Sequence, residues 1–250
     1  MCLREGFEVF RVNSPNQPPF LSIRTESKHW YSISNSIFPD IQFKPFVTPS
    51  KGHCILYHTP RSIKQPLIVL LHGGPHNLFA ACFNTDILFY LHHGYIVLVP
   101  NYHGSAGYGD NYLHSLCGHI AELELNDVME AMEYLHIKHS NEIDFERVFV
   151  MGSSYGGFIG LNLLIQQSVF KKAILRNPVI NPLTMALTSD MSYWMLVLAG
   201  LIPSRGDVNE RVQQALEGRY QFNGLDWRIL QQLNPIPQLE EVGGLSSILM

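Results

Sequence analysis

Residues 147–165 read RVFVMGSSYGGFIGLNLLI, and their types and spacing suit a nucleophile. Gly152, Ser154 and Gly156 form a Gly-x-Ser-x-Gly run between an apolar, β-branched segment and an apolar helical pattern. A strand that turns sharply into a helix needs small residues at the turn, because strand and helix nearly touch there. Such a turn holds a serine hydroxyl above a sheet, beside the unpaired N–H groups that open the helix. The corresponding chemistry is attack on a carbonyl carbon, once a base accepts the hydroxyl proton. Small residues also build ordinary turns, so the pentapeptide alone is a weak signal.

A second stretch strengthens it. In LIVLLHGGPHNLF an apolar run ends directly in His72, Gly73, Gly74 and Pro75. Acyl transfer develops negative charge on the carbonyl oxygen, which needs preorganised N–H donors. Two glycines after a strand let backbone N–H groups approach a ligand without side chains in the way. When this loop is followed by a serine elbow, the donors fall to Gly74 and to Tyr155, the residue after the serine. A Gly-Gly-Pro turn with a surface histidine explains the loop in isolation; the ordered pair of motifs makes chance a poor account. A third stretch, VPNYHGSAGYGDNY at 99–112, also follows an apolar run. It belongs on the same carboxyl rim, where Tyr102 either offers its hydroxyl to the site or covers it.

The elements that must position these residues are legible from residue 51 onward. Continuous apolar runs at 67–71, 95–99, 147–151, 172–176 and 246–250 predict buried parallel strands. Val128, Ala131, Met132 and Leu135 fall at helical spacing between them, as do Gly157, Gly160, Leu161 and Leu164. Strand–helix alternation with right-handed crossovers predicts a doubly wound, mostly parallel α/β sheet. Residues 1–50 differ: FEVFRV, LSIRT and WYSIS are short β-like pieces separated by turns, without a core of their own.

The chain has 250 residues, 46% hydrophobic and 15% charged, enough for a large interior. A formal net charge of −4 argues against a nucleic-acid partner. The apolar runs are too short to span a bilayer, and Arg4 and Glu5 precede any apolar stretch, so neither membrane nor leader is expected. Cys2, Cys54, Cys82 and Cys117 lack metal or redox spacing and suit reduced thiols, which points to the cytoplasm. His119, Glu122, Glu124 and Asp127 match no metal site, and an acidic helix start accounts for the carboxylates. Neither a cofactor nor a metal is expected.

The stretches LLHGGPHNLF, NYHGSAGYG, LNDV, GSSYGGF and RNPVIN together resemble the prolyl oligopeptidase family of serine peptidases, and most closely its acylaminoacyl-peptidase branch, over about residues 55–250. The resemblance implies an α/β-hydrolase catalytic domain at 51–250, with residues 1–50 as the last propeller strands and the linker. It implies Ser154 as nucleophile, Gly74 and Tyr155 as the oxyanion hole, and N-acylated short peptides as substrates. It is compatible with a homo-oligomer in the full-length form. Trp194, within SDMSYWMLVLAG, corresponds to a segment that lines the acyl-residue pocket in the family, although an apolar helix packed on the sheet explains it almost as well. His103 departs from the family pattern, which has arginine there; a mostly neutral ring replaces a planar, always-charged fork.

The base is the remaining question. A serine elbow of this kind is followed in the chain by the acid and then the histidine. All twelve histidines precede Ser154, while Asp190, Asp207 and Asp226 follow it but come before the last strand, SSILM. The triad aspartate and histidine are therefore expected to be absent, as in a C-terminally truncated domain lacking its acid and histidine loops. Substitution by His72, His76 or His103 is the weaker reading, since such residues more often orient loops. The competing functions are a carboxylesterase of the same fold and a non-catalytic relative that binds acylated peptides.

Overall fold

The computed structural model describes residues 7–25, 30–32, 38, 40–206, 209–241 and 248–249; His29 and Asp207 lie outside them. Three strands, β1 (Phe7–Ser14), β2 (Gln17–Thr25) and β3 (Trp30–Ser32), form a separate antiparallel sheet. The second sheet has seven strands. They are β4 (Gln42–Val47), β5 (His53–His58), β6 (Gln65–Leu71), β7 (Ile96–Asn101), β8 (Ile143–Ser153), β9 (Phe170–Arg176) and β10 (Ile248–Leu249), in the order β10-β9-β8-β6-β7-β5-β4. Neighbours from β10 to β7 pair in parallel, while β5 is antiparallel to both β4 and β7. This is the mostly parallel sheet that the alternation predicts, with antiparallel strands at one edge. β4 lies within residues 1–50 yet forms that edge.

Strand alternation assigns the two faces. Leu67, Val69, Leu71, Ile96 and Leu98 join one buried cluster, and Val97 and Val99 join another with Ile55 and Tyr57. Helix α1 (Thr85–His92) covers the second face through Ile87 and Leu91, one turn apart. Its start is fixed by the Asn84 side chain, which accepts from the N–H groups of Asp86 and Ile87. A short helix, α2 (Asp110–His114), follows β7. The first face carries α3 (Leu123–Lys138) and α4 (Tyr155–Gln166). In α3 the buried residues Glu124, Asp127, Val128, Ala131 and Leu135 run along one stripe, so two carboxylates continue an apolar face. The helices α5 (Pro182–Thr188), α6 (Ser192–Leu198), α7 (Glu210–Leu216), α8 (Gly224–Gln232) and α9 (Ile236–Glu241) follow β9. No helix among the described residues is long and apolar enough to cross a membrane.

From β6 the chain moves to β7 on one side, then returns to β8 and β9 on the other. Between β6 and β8 it switches direction, which is where crevices open in such sheets. Leu71 stands opposite Gly152 in the register, so the loops that leave β6 and β8 start side by side.

Candidate active site

The serine elbow forms as its small residues require. Ser154 has φ 56° and ψ −122°, a left-handed backbone that costs a non-glycine residue on the order of 1–3 kcal/mol. Four hydrogen bonds hold it there. Its N–H donates to the Arg176 carbonyl at the end of β9 (3.0 Å), and its carbonyl accepts from Gly157, Phe158 and Val179 at 3.0, 3.2 and 3.2 Å. Side chains are excluded on both flanks: a Cβ on Gly152 would lie 2.2 Å from the Gly156 carbonyl oxygen, and one on Gly156 would lie 2.5 Å from that of Leu71. Ser154 itself is exposed, while Tyr155 behind it is 1% exposed.

The β6 loop meets this elbow directly. A Cβ on Gly73 would be 3.0 Å from the Ser153 carbonyl oxygen and 3.3 Å from Ser154 Cβ. Gly74 follows, exposed, with φ 116°. Its N–H donates to no group among the described residues, and Tyr155 opens α4, where first-turn N–H groups have no partner within the helix. Gly74 thus follows the glycine that abuts Ser154, and Tyr155 follows Ser154 itself at the positive end of α4.

The β7 loop braces the β6 loop from below. The Asn101 side chain accepts from the Phe79 N–H (2.8 Å) and donates to the Phe79 carbonyl (3.0 Å). His76 Nδ1 lies 2.8 Å from the Gly104 carbonyl oxygen, and the Ala106 N–H donates to the Asn77 carbonyl at 3.0 Å. Tyr102 is completely buried. Its ring stacks on His72 at 4.4 Å, and its hydroxyl donates to the His72 carbonyl at 2.6 Å, so it supports the loop from inside. Trp194 is half-buried, with its ring edge-on to Tyr155 at 6.0 Å.

His103, where the resemblance implies an arginine, is firmly held. Its N–H donates to Asp127 Oδ2 at 2.6 Å, its Nδ1 lies 2.8 Å from the same oxygen, and its ring stacks on Tyr112. Asp127 also accepts from Ser50 Oγ at 3.0 Å. Burial raises the Asp127 carboxyl above its ordinary range, opposed by the His103 hydrogen bonds and charge.

None of the described histidines hydrogen-bonds Ser154. His72 has both ring nitrogens engaged, Nδ1 with the Gly73 carbonyl (2.8 Å) and Nε2 with Ser105 Oγ (2.9 Å), and burial lowers its pKa to about 4. Histidine–carboxylate pairs among the described residues use Asp110, Glu122, Asp127 and Glu142, which all precede Ser154. Asp226 instead completes the capping box of α8 and binds Arg211 at 2.9 Å, while Asp190 is exposed beside Ser189. Glu122 pairs with His119 at the surface, whereas Glu124 and Asp127 turn inward to Tyr155 and His103; the four do not converge.

Sequence reasoning passes over Asn101, and it assigns Glu124 and Asp127 to an acidic helix start although both are buried under the site. The signal for the carboxylates is LELND, where positions three apart extend the Val128–Ala131–Leu135 stripe.

The sequence profile of the prolyl oligopeptidase family matches residues 82–213, more than half of the chain. The chain is 32% identical over 206 residues to acylamino-acid-releasing enzyme 1 of Oryza sativa subsp. japonica, which covers 77% of this chain and 26% of the relative. It is 28% identical over 224 residues to the acylamino-acid-releasing enzyme of Homo sapiens, covering 80% and 30%. It thus spans less than a third of the length of these curated relatives. Among solved structures it is similar to the acylaminoacyl peptidase of Pyrococcus horikoshii, with a TM-score of 0.77 at 18% identity over 97% of this chain and 38% of that one. An acylaminoacyl peptidase in complex with Z-Gly-Gly-Phe-chloromethyl ketone gives 0.74 at 20% identity, covering 97% and 37%. These likenesses establish the α/β-hydrolase fold, and together with the profile match across β7, β8, α4 and the Ser154 elbow they settle the kinship: the chain belongs to the prolyl oligopeptidase family.

Proposed function

We propose that this chain carries the nucleophile and oxyanion hole of a serine peptidase that releases an N-acylated residue from the blocked end of short peptides. The observation that carries the reading is the exposed, left-handed Ser154 set against the Gly73–Gly74 loop. Ser154 Oγ attacks the carbonyl of the acylated residue, and the N–H groups of Gly74 and Tyr155 take the developing oxyanion. Collapse expels the peptide amine, protonated by the base that took the Ser154 proton, and leaves an ester on Ser154, which water hydrolyses to the free acid. The proton acceptor is a group other than the described histidines, since none of them hydrogen-bonds Ser154 and the pKa of His72 lies near 4. Trp194, edge-on to Tyr155, forms part of the pocket for the acylated residue.

The substrate class follows from the relatives named acylamino-acid-releasing enzymes. In this reading the β1–β3 sheet belongs to a second, β-rich domain, and the free thiols of Cys54, Cys82 and Cys117 suit the cytoplasm.

The test uses the full-length protein. A fluorophosphonate probe should label it, and Ser154→Ala should abolish both labelling and hydrolysis of acetyl-alanine p-nitroanilide. Labelling that survives the substitution rejects Ser154. Turnover of simple esters with none of the anilide transfers the reading to a carboxylesterase.

A further inference from the structure

Beneath the two loops lies a buried polar group that the reaction above does not use. Glu124, in the first turn of α3, is 0% exposed. Its Oε1 accepts from the Tyr155 hydroxyl, while Oε2 is buried with no hydrogen-bond partner among the described residues. Such a group is costly to bury, so its retention calls for a compensating contact. Tyr155 is the residue after Ser154, and its ring is enclosed among Phe158, Trp194 and Glu124. The hydrogen bond at the far end of that ring restrains its rotation. Tyr102 is buried in the same core, and its hydroxyl holds the His72 carbonyl at the root of the other loop.

We propose that Glu124 is a positioning residue of the Ser154 site, which holds the Tyr155 ring from below and thereby aims the Tyr155 N–H at the oxyanion. Burial raises its pKa to about 8, so at neutral pH the carboxyl is mostly protonated and is a neutral partner for the phenol. When it ionises, a charge appears beside the buried Tyr155 phenol, and the ring has reason to move. The neutral carboxyl is close in shape and hydrogen-bonding capacity to an amide, so glutamine can replace it.

This inference rests on Ser154 being the nucleophile, and the experiment separates the two. In the full-length protein, Glu124→Ala and Tyr155→Phe should each lower kcat for acetyl-alanine p-nitroanilide by about tenfold or more, with KM within about twofold, because an oxyanion donor acts in the transition state. The rate of fluorophosphonate labelling, which forms the Ser154 Oγ–P bond and expels fluoride, should fall in parallel. Glu124→Gln should restore most of kcat and remove a loss of wild-type activity on ionisation near pH 8. Wild-type rates in folded Glu124→Ala, or an alkaline limb unchanged in Glu124→Gln, overturn the positioning role while leaving Ser154 in place. If Glu124→Ala does not fold, Tyr155→Phe and Glu124→Gln decide alone. A wild-type protein that is not labelled at all rejects both readings.

Discussion

A methyl group on Gly73 tests the juxtaposition on which the site depends. The alanine Cβ would stand 3.0 Å from the Ser153 carbonyl oxygen and 3.3 Å from Ser154 Cβ, where ordinary contact begins at 3.4 Å. Gly73 is not in the left-handed region, so alanine brings a steric load without backbone strain. The Ser153 side of the contact is stiff, because that residue pairs with Arg176 in the sheet and the next N–H is bonded to the same strand. The β6 loop must therefore yield by a few tenths of an ångström, carrying the Gly74 N–H with it. Overpacking of this kind costs about 1–3 kcal/mol, and a displaced donor lowers the rate by about 10- to 100-fold, or 1.4–2.7 kcal/mol in the barrier. Steady-state hydrolysis of acetyl-alanine p-nitroanilide, fluorophosphonate labelling rates and calorimetric Tm on the full-length Gly73→Ala protein separate the two costs. The expected result is a large fall in kcat with a Tm shift of a few degrees. Hydrolysis and labelling at wild-type rates would refute the claim that this loop abuts the nucleophile.

Gly152→Ala should fail to give soluble folded protein, since its Cβ meets a backbone oxygen at 2.2 Å; recovery of a cooperative unfolding transition close to wild type by circular dichroism would contradict the packing. The unfolded His72 ring takes up a proton near pH 6.5 and the folded one only near pH 4, so stability is lost as pH falls through that window, by on the order of 3 kcal/mol. Urea titrations at pH 7 and pH 4.5 should show that His72→Gln flattens this loss. Asp127→Asn leaves one acceptor oxygen where the His103 N–H and ring use Oδ2 and Ser50 uses Oδ1, and should cost about 2–3 kcal/mol in the same titrations, more than His103→Ala, which leaves the Ser50 contact in place.

The strands and the serine elbow are legible because each imposes a local demand. Buried parallel strands demand continuous apolar runs, and 67–71, 95–99, 147–151 and 172–176 fall inside β6, β7, β8 and β9 with a shift of one residue at β7. The elbow demands small residues on both sides of Ser154, and the 2.2 Å and 2.5 Å approaches at Gly152 and Gly156 explain why. Residues 42–47 carry no such demand. They form an edge strand with mostly exposed side chains, and their place in the sheet is set by pairing with His53–His58.

The supports of the site are hidden for a different reason. Tyr102, directly after a strand in a glycine-rich loop, is equally suited by sequence to face a ligand or the interior; only the His72 carbonyl at 2.6 Å and the stacked ring decide that it faces inward. Glu124 and Asp127 look like ordinary acidic residues at a helix start, where the macrodipole favours them at the surface. Their burial depends on partners distant in sequence, the Tyr155 hydroxyl and the His103 N–H, which only the packing of α3 under the β7 and β8 loops brings near. At position 103 the chain needs a donor that can reach Asp127 from the loop. Histidine meets that need with its backbone N–H and Nδ1 together, and Tyr112 stacks on the ring. An arginine there would supply its own fixed charge. The histidine leaves much of the anchoring to a backbone bond that survives any change of side chain, which is why His103→Ala is the milder of the two substitutions.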